Sequence, residues 1–373
     1  MNSIRLTREE QTIHRLRSLY EEYGYAKFKM SKFEEYDLYV RNKDFLVSDG
    51  IITFTDTNGK LMALKPDVTL SIIKNSRSVP GCVDKVYYDE NVYRVSSDTG
   101  TFKEIRQLGV ECIGEVDTYG IYEVLSLAAK SLRIVSQDAI LDLSHFGILT
   151  DLIDSFGVDP ENKKKILRAV SEKNQHDLAR ICENCGVPGE RLEVLSRLIA
   201  ASGAAKDVFP EIFEILAGEK DTGKISEFMN LCDHLCERGF SDMIRVDFSV
   251  VNGMDYYNGI VFRGFVKGIP TWILSGGQYD RLMRKLDQSA GAIGFALYLD
   301  LMDDLLISRK DFDVDCLVLY DEKVPFREVD LVLNKMVSEG KSVTAQKRVP
   351  EKCAYRELWK LSESGVELLE RNA

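Results

Sequence analysis

The order of apolar and polar positions divides this chain into segments with two periods, one near 3.6 residues and one of two. Thr7–Glu10 is a Thr-x-x-Glu capping box, followed on one helical face by Ile13, Leu16, Leu19 and Tyr23 until Gly24 ends the run. Val68–Ile73 reads as a short helix that Asp67 could cap. Val86–Val95 and Glu104–Ile113 read as two antiparallel strands around a polar loop, Ser96–Lys103, whose Ser-Ser-Asp-Thr-Gly run is strand punctuation. A helix follows at Thr118–Leu132 and a strand at Ala139–Ser144, with His145 opening the next element. Residues 150–243 carry little strand signal and predict helices near 160–174, 175–185, 189–202, 207–217 and 224–238. Beyond residue 309, strands are predicted at Val314–Tyr320, Ser342–Ala345 and Val366–Leu369, with helices at Pro325–Glu339 and Tyr355–Glu363. That order predicts a small β-α-β-α-β unit.

Composition narrows the class. At 373 residues the chain is long enough for two or three domains. Its formal charge of −11, from 49 basic and 60 acidic residues, repels phosphate backbones. The short basic runs, Lys163–Lys165 and the group Lys341, Lys347, Arg348 and Lys352, read as solvated faces. No apolar run approaches the ~18 residues of a membrane span, and the first residues lack a secretory apolar segment. A cytoplasmic, membrane-free protein is expected. Cys182, Cys185, Cys232 and Cys236 fall in pairs at helical spacing, with His234 beside the second pair. Zinc ligands usually sit on turns rather than inside amphipathic helices, so these read as thiols of a reducing compartment, and no metal or cofactor is expected. The four histidines match no catalytic spacing.

Chemistry concentrates in five blocks. The hairpin itself carries Arg94, Glu104, Gln107 and Glu111 at spacings that can converge on one sheet face. The other four are Leu64-Lys65-Pro66-Asp67-Val68-Thr69, Val251–Gly259, Ser275–Asp280 and Gly291–Leu301. Together, and in their order along the chain, they resemble the histidyl form of the class II aminoacyl-tRNA synthetases: Leu64–Thr69 its LRPEGT segment, the hairpin its motif 2, Val251–Gly259 its V-R-G-L-D-Y-Y-T-G signature, Ser275–Asp280 its GGRYD and Gly291–Leu301 its motif 3. Tyr25–Phe33 takes the place of motif 1, where the family builds its dimer. The resemblance implies an α+β fold with an antiparallel sheet flanked by helices. It divides the chain into a class II core of residues 1–148 and 245–307, a helical insertion at 149–244 and a small α/β piece at 308–373.

What the resemblance implies about function depends on which residues depart from it. Amino-acid activation gathers negative charge at the α-phosphate of ATP and needs cations aimed there. Arg94 keeps the motif 2 arginine, but Asn252 and Leu301 occupy positions that the family gives to arginine; Ser96 and Gln278 also depart from the pattern. Adenylation is therefore not expected. The amino-acid side is kept: Asp67, Thr69 and Gln107 would take the α-ammonium, Glu111 and Tyr257 the two imidazole nitrogens, and Tyr256 the same wall, while Arg94 could reach the carboxylate. Read alone, Asp67 could be a helix cap, Glu111 a structural carboxylate and the Tyr-Tyr pair core packing. A synthetase core without its cations and with a short C-terminal piece resembles the regulatory subunits of ATP phosphoribosyltransferase, in the first step of histidine biosynthesis. That resemblance implies no catalysis by this chain and L-histidine as effector. It implies a short-form catalytic subunit as partner, in a hetero-oligomer built on homodimers. The segment Val250–Gly259, beside the glycines of Ser275–Tyr279, is the expected moving part. A divergent histidyl-tRNA synthetase, another ATP-dependent amino-acid ligase and a tRNA-binding sensor stay open, the last disfavoured by the acidic charge.

Overall fold

In a computed structural model the described residues are 7–42, 50–76, 81–95, 99–217, 222–251, 256–286, 290–302 and 312–372. Asn252 and Ser96 therefore lie outside them. The chain divides into two compact units, residues 12–304, and residues 305–373 together with the first eleven.

In chain order the elements are α1 (Arg8–Glu22), β1 (Ala26–Lys27), β2 (Phe33–Glu35), α2 (Tyr36–Val40), β3 (Thr53–Thr55), β4 (Leu61–Leu64) and α3 (Thr69–Asn75). The hairpin β5 (Val83–Val95) and β6 (Phe102–Gly114) follows, then α4 (Thr118–Val135), β7 (Ala139–His145) and α5 (Phe146–Asp154). The helical stretch comprises α6 (Pro160–Ser171), α7 (Gln175–Asn184), α8 (Gly189–Ala200), β8 (Ser202–Ala204), α9 (Ala205–Leu216) and α10 (Thr222–Leu235). After it come β9 (Ile244–Asp247), β10 (Ile260–Val266), β11 (Leu274–Gln278), α11 (Asp280–Lys285) and β12 (Gly291–Tyr298). The last elements are β13 (Val314–Tyr320), α12 (Phe326–Ser338), β14 (Val343–Gln346), β15 (Tyr355–Ser362) and β16 (Gly365–Arg371).

A nine-stranded sheet in the order β1-β5-β6-β12-β11-β10-β7-β9-β8 organises the larger unit. It is mostly antiparallel, as expected, but β1 runs parallel to β5 and β9 parallel to β7. The capping box is formed: Thr7 N donates to Glu10 Oε2 at 2.7 Å and Glu10 N to Thr7 Oγ1 at 3.1 Å. The buried stripe of α1 is Thr12, Ile13, Leu16 and Tyr20. Leu19 and Tyr23, expected on that stripe, are only half-buried. Gly24 closes the helix at φ +80°, the left-handed region that glycine adopts without cost. Tyr20 reaches the sheet, with its ring 6.2 Å from that of Phe295 and its hydroxyl 2.9 Å from Ser131 Oγ on α4. One sheet face is thus the apolar core. Within the helical stretch the predicted helices form, and Ser202–Ala204, missed in the sequence, pairs with β9.

Among its described residues from 312 on, the smaller unit carries a four-stranded sheet, β14-β13-β15-β16, with the helix α12 packed on Cys316, Val318 and Leu361. The helix expected at Tyr355–Glu363 is a strand, parallel to β13 and joined by a tight turn to β16. From β13 to β16 the order is therefore β-α-β-β-β. Glu357, 7% exposed, accepts from Arg371 Nη2 at 2.6 Å, Trp359 Nε1 at 3.1 Å and Lys341 Nζ at 3.2 Å. Arg371 and Lys341 are exposed enough to turn to water when Glu357→Ala removes the carboxylate, so chemical denaturation is expected to show a loss of about 1 kcal/mol.

Candidate functional site

The register decides which side chains share the sheet's second face. Glu111 on β6 stands opposite Gly294 on β12, Gly294 opposite Gly277 on β11, Gly277 opposite Val261 on β10, and Val261 opposite Ser144 on β7. Because side chains alternate, positions two or four residues away join them: Gln107 and Gly109 on β6, Arg263 on β10 and Asp142 on β7. On β5, Val86 faces Glu111, which adds Tyr88, Glu90 and Arg94 to the same face. Arg94, Gln107 and Glu111 therefore collect on the face away from α1 and α4, whereas Glu104, expected with them, stands opposite Tyr93 on the other face.

Three glycines make room for them. A Cβ on Gly294 would lie 1.7 Å from Glu111 Oε2, one on Gly277 2.7 Å from the Tyr257 ring, and one on Gly109 2.5 Å from the Tyr88 hydroxyl. The glycines around Ser275–Tyr279, expected to mark a moving segment, are thus explained by close packing: Gly276 likewise lies under Phe262 and Phe295.

Glu111 lies at the centre, 2% exposed. Its Oε1 accepts from Thr69 Oγ1 at 2.7 Å and its Oε2 from the Tyr279 hydroxyl at 2.6 Å. Burial pushes its pKa up to about 8; the two hydroxyl bonds oppose that rise and the charge of Asp67 adds to it. Asp67, also buried, accepts from Leu70 N at 2.9 Å, so it holds the first turn of α3 from the residue before the N-cap position, Val68. Burial raises its pKa as well, against that bond and the nearby Arg94 charge. Arg94, 9% exposed, donates from Nε to Pro66 O at 2.9 Å. Gln107, 3% exposed, sits between Glu90 and Tyr298 in the register. The rings of Tyr256 and Tyr257 meet edge-on at 4.7 Å, and those of Tyr256 and Tyr279 lie 5.4 Å apart. Burial raises all three phenols well above their ordinary range, so they stay protonated donors at neutral pH.

The seven sequence-predicted residues thus come from α3 and the loop before it, the β5–β6 hairpin and the segment entering β10. Tyr279, which closes the Glu111 network, was missed. It stands in the Ser275–Asp280 block, but nothing in the sequence shows which carboxylate 168 positions away it meets.

A histidyl-tRNA synthetase family model matches residues 3–302. An ATP phosphoribosyltransferase regulatory subunit from Clostridium kluyveri is 30% identical over 324 residues, covering 83% of this chain and 81% of the relative. The chain belongs to the histidyl-tRNA synthetase family, among its ATP phosphoribosyltransferase regulatory subunits. A histidine–tRNA ligase from Methanocaldococcus jannaschii is also similar, 27% identical over 339 residues and covering 88% of this chain and 80% of the ligase. A crystal structure described as an ATP phosphoribosyltransferase regulatory subunit/histidyl-tRNA synthetase from Bacillus halodurans C shares the fold at a TM-score of 0.78 and 22% identity. It covers 95% of this chain and 94% of its own.

Against that family, the positions lacking their cations are informative. Leu301, on the single turn Leu299–Met302 after β12, is 40% exposed and presents a hydrocarbon surface. Gln278 folds back on the sheet, its Oε1 accepting from Ile260 N at 2.7 Å. Among the described residues, no group of three His, Cys, Asp or Glu side chains could hold a metal ion, and Cys182 and Cys232 are buried in helical cores. Nor is any described helix long and apolar enough to cross a membrane.

Proposed function

We propose that this regulatory subunit binds free L-histidine on the polar sheet face and relays occupancy to a short-form ATP phosphoribosyltransferase catalytic subunit, within a hetero-oligomer built on homodimers. The observation that carries this reading is the Glu111 network. A carboxylate held between Thr69 and Tyr279 hydroxyls keeps lone pairs for one imidazole N–H. Tyr257 lies over Gly277, two strands from Glu111 on the same sheet face. Asp67, Thr69 and Gln107 supply the acceptors for the α-ammonium. The hydrocarbon at Leu301 gives a triphosphate nothing to hold, which supports histidine binding without activation. Control of the partner follows only if histidine favours one state of the complex over another. The segment entering β10 at Tyr256 is the wall through which such a difference would pass, and slower hydrogen exchange there on adding histidine would support it.

Calorimetric titration with each of the twenty amino acids, with and without ATP, tests the proposal. Heat is expected from histidine alone, with no response to ATP and no histidine-dependent pyrophosphate exchange. The similarity to the M. jannaschii ligase favours one rival, a divergent synthetase. Measurable pyrophosphate exchange would establish that rival instead.

A further inference from the structure

Most buried polar groups in a folded protein find a partner, so clustered exceptions call for an explanation. Six buried side-chain atoms among the described residues lack one, and three of the six lie together: Asp142 Oδ1, Ser144 Oγ and Arg263 Nε. Asp142 stands directly across the β7–β10 ladder from Arg263, and Ser144 across from Val261 one step along. All three are on the face that carries Glu111. Arg263 also lies close enough to Tyr257 to bear on its titration, and its guanidinium lies 5.8 Å from the centre of the Trp272 ring. Three strand spacings of about 4.8 Å separate β6 from β10. A glutamate, a small amino acid and an arginine laid end to end fill such a span.

The ligand's carboxylate needs a cation, and Asn252 supplies none. Arg94 has its Nε committed to Pro66 O and lies beside Asp67. We propose that Arg263 receives the carboxylate of the amino-acid ligand, with Asp142 directly across the ladder from it. This deepens the histidine reading and rests on it. The other charged groups around the pair, Arg245, Asp247 and Lys173, are arranged alongside it: Lys173 Nζ meets Asp247 Oδ2 at 2.8 Å, and Arg245 Nε lies 3.9 Å from Asp142 Oδ1.

The test compares L-histidine with L-histidinol, which keeps the ring and the ammonium but replaces the carboxylate by an alcohol. Calorimetry on the intact protein is expected to show that the wild type prefers histidine by about 10- to 150-fold, the range of a hydrogen bond to a charged group. Arg263→Gln is expected to reduce that preference to near unity by weakening histidine while leaving histidinol unchanged. Arg263→Lys keeps the charge but not the planar fork, and should give an intermediate preference. An undiminished preference in either variant overturns the assignment. So does an equal loss of both ligands, which would mean that Arg263 only shapes the pocket. A wild type that binds neither ligand instead defeats the histidine reading itself.

Discussion

Gly294→Ala is expected to cost about 3 kcal/mol or more of stability and to abolish histidine binding, although it adds a single methyl group. That methyl would sit 1.7 Å from Glu111 Oε2 and 2.5 Å from Val110 O. The first contact could be relieved by swinging the carboxylate, but both of its oxygens are already tied to Thr69 and Tyr279. The second is with backbone, so relief means prising β12 from β6 in the centre of the sheet. Gly24→Ala is the natural comparison. There the added Cβ meets nothing within 4 Å, and only the left-handed backbone opposes it, at about 1–2 kcal/mol. Urea denaturation of both variants, with a histidine titration of each, separates the effects. Wild-type histidine affinity in Gly294→Ala would show that the ligand does not use the Glu111 carboxylate.

What could be read from the sequence follows how local each signal is. The hairpin was plain because a period of two and a polar loop are features of neighbouring residues, and the structure lengthens each strand by only a few positions. The helices of 160–235 were plain for the same reason at the other period. Residues 355–362 misled because Leu358 and Leu361, three apart, imitate a helical face. In the sheet they lie on opposite faces, and each is buried. Local pattern cannot tell one buried stripe from two. The short strand Ser202–Ala204 has no pattern of its own and exists only through pairing with β9. The site shows the same limit. Thr69, Gln107 and Glu111 were legible through a family pattern, whereas Tyr279, Asp142, Ser144 and Arg263 join them only through register. A slip of one residue would send each strand's set to the other face.

Glu111→Gln carries the largest expected effect on binding, and its pH dependence shows why. The wild-type carboxyl has a pKa of about 8 when folded, against an ordinary value of 4.5. Between those values the unfolded chain has released the proton that the folded chain still holds. The stability tied to this group is therefore fully present below pH 4.5 and lost as pH rises to about 8. At about 1.4 kcal/mol for each pH unit between those values, the loss is on the order of a few kcal/mol. Glutamine does not titrate, so the stability difference between the two proteins should close by about that amount over this window. Binding adds a second consequence. Free histidine's ring loses its proton near pH 6.5. The complex then needs one proton shared between ring and carboxyl: below about 6.5 there is one too many, and above about 8 one too few. Wild-type affinity should peak between those limits and fall on both sides. In Glu111→Gln it should be about 10- to 150-fold weaker, with no decline centred near pH 8. Calorimetry from pH 5.5 to 9 reads both, and a wild-type profile flat through pH 8 would place the imidazole elsewhere than on Glu111.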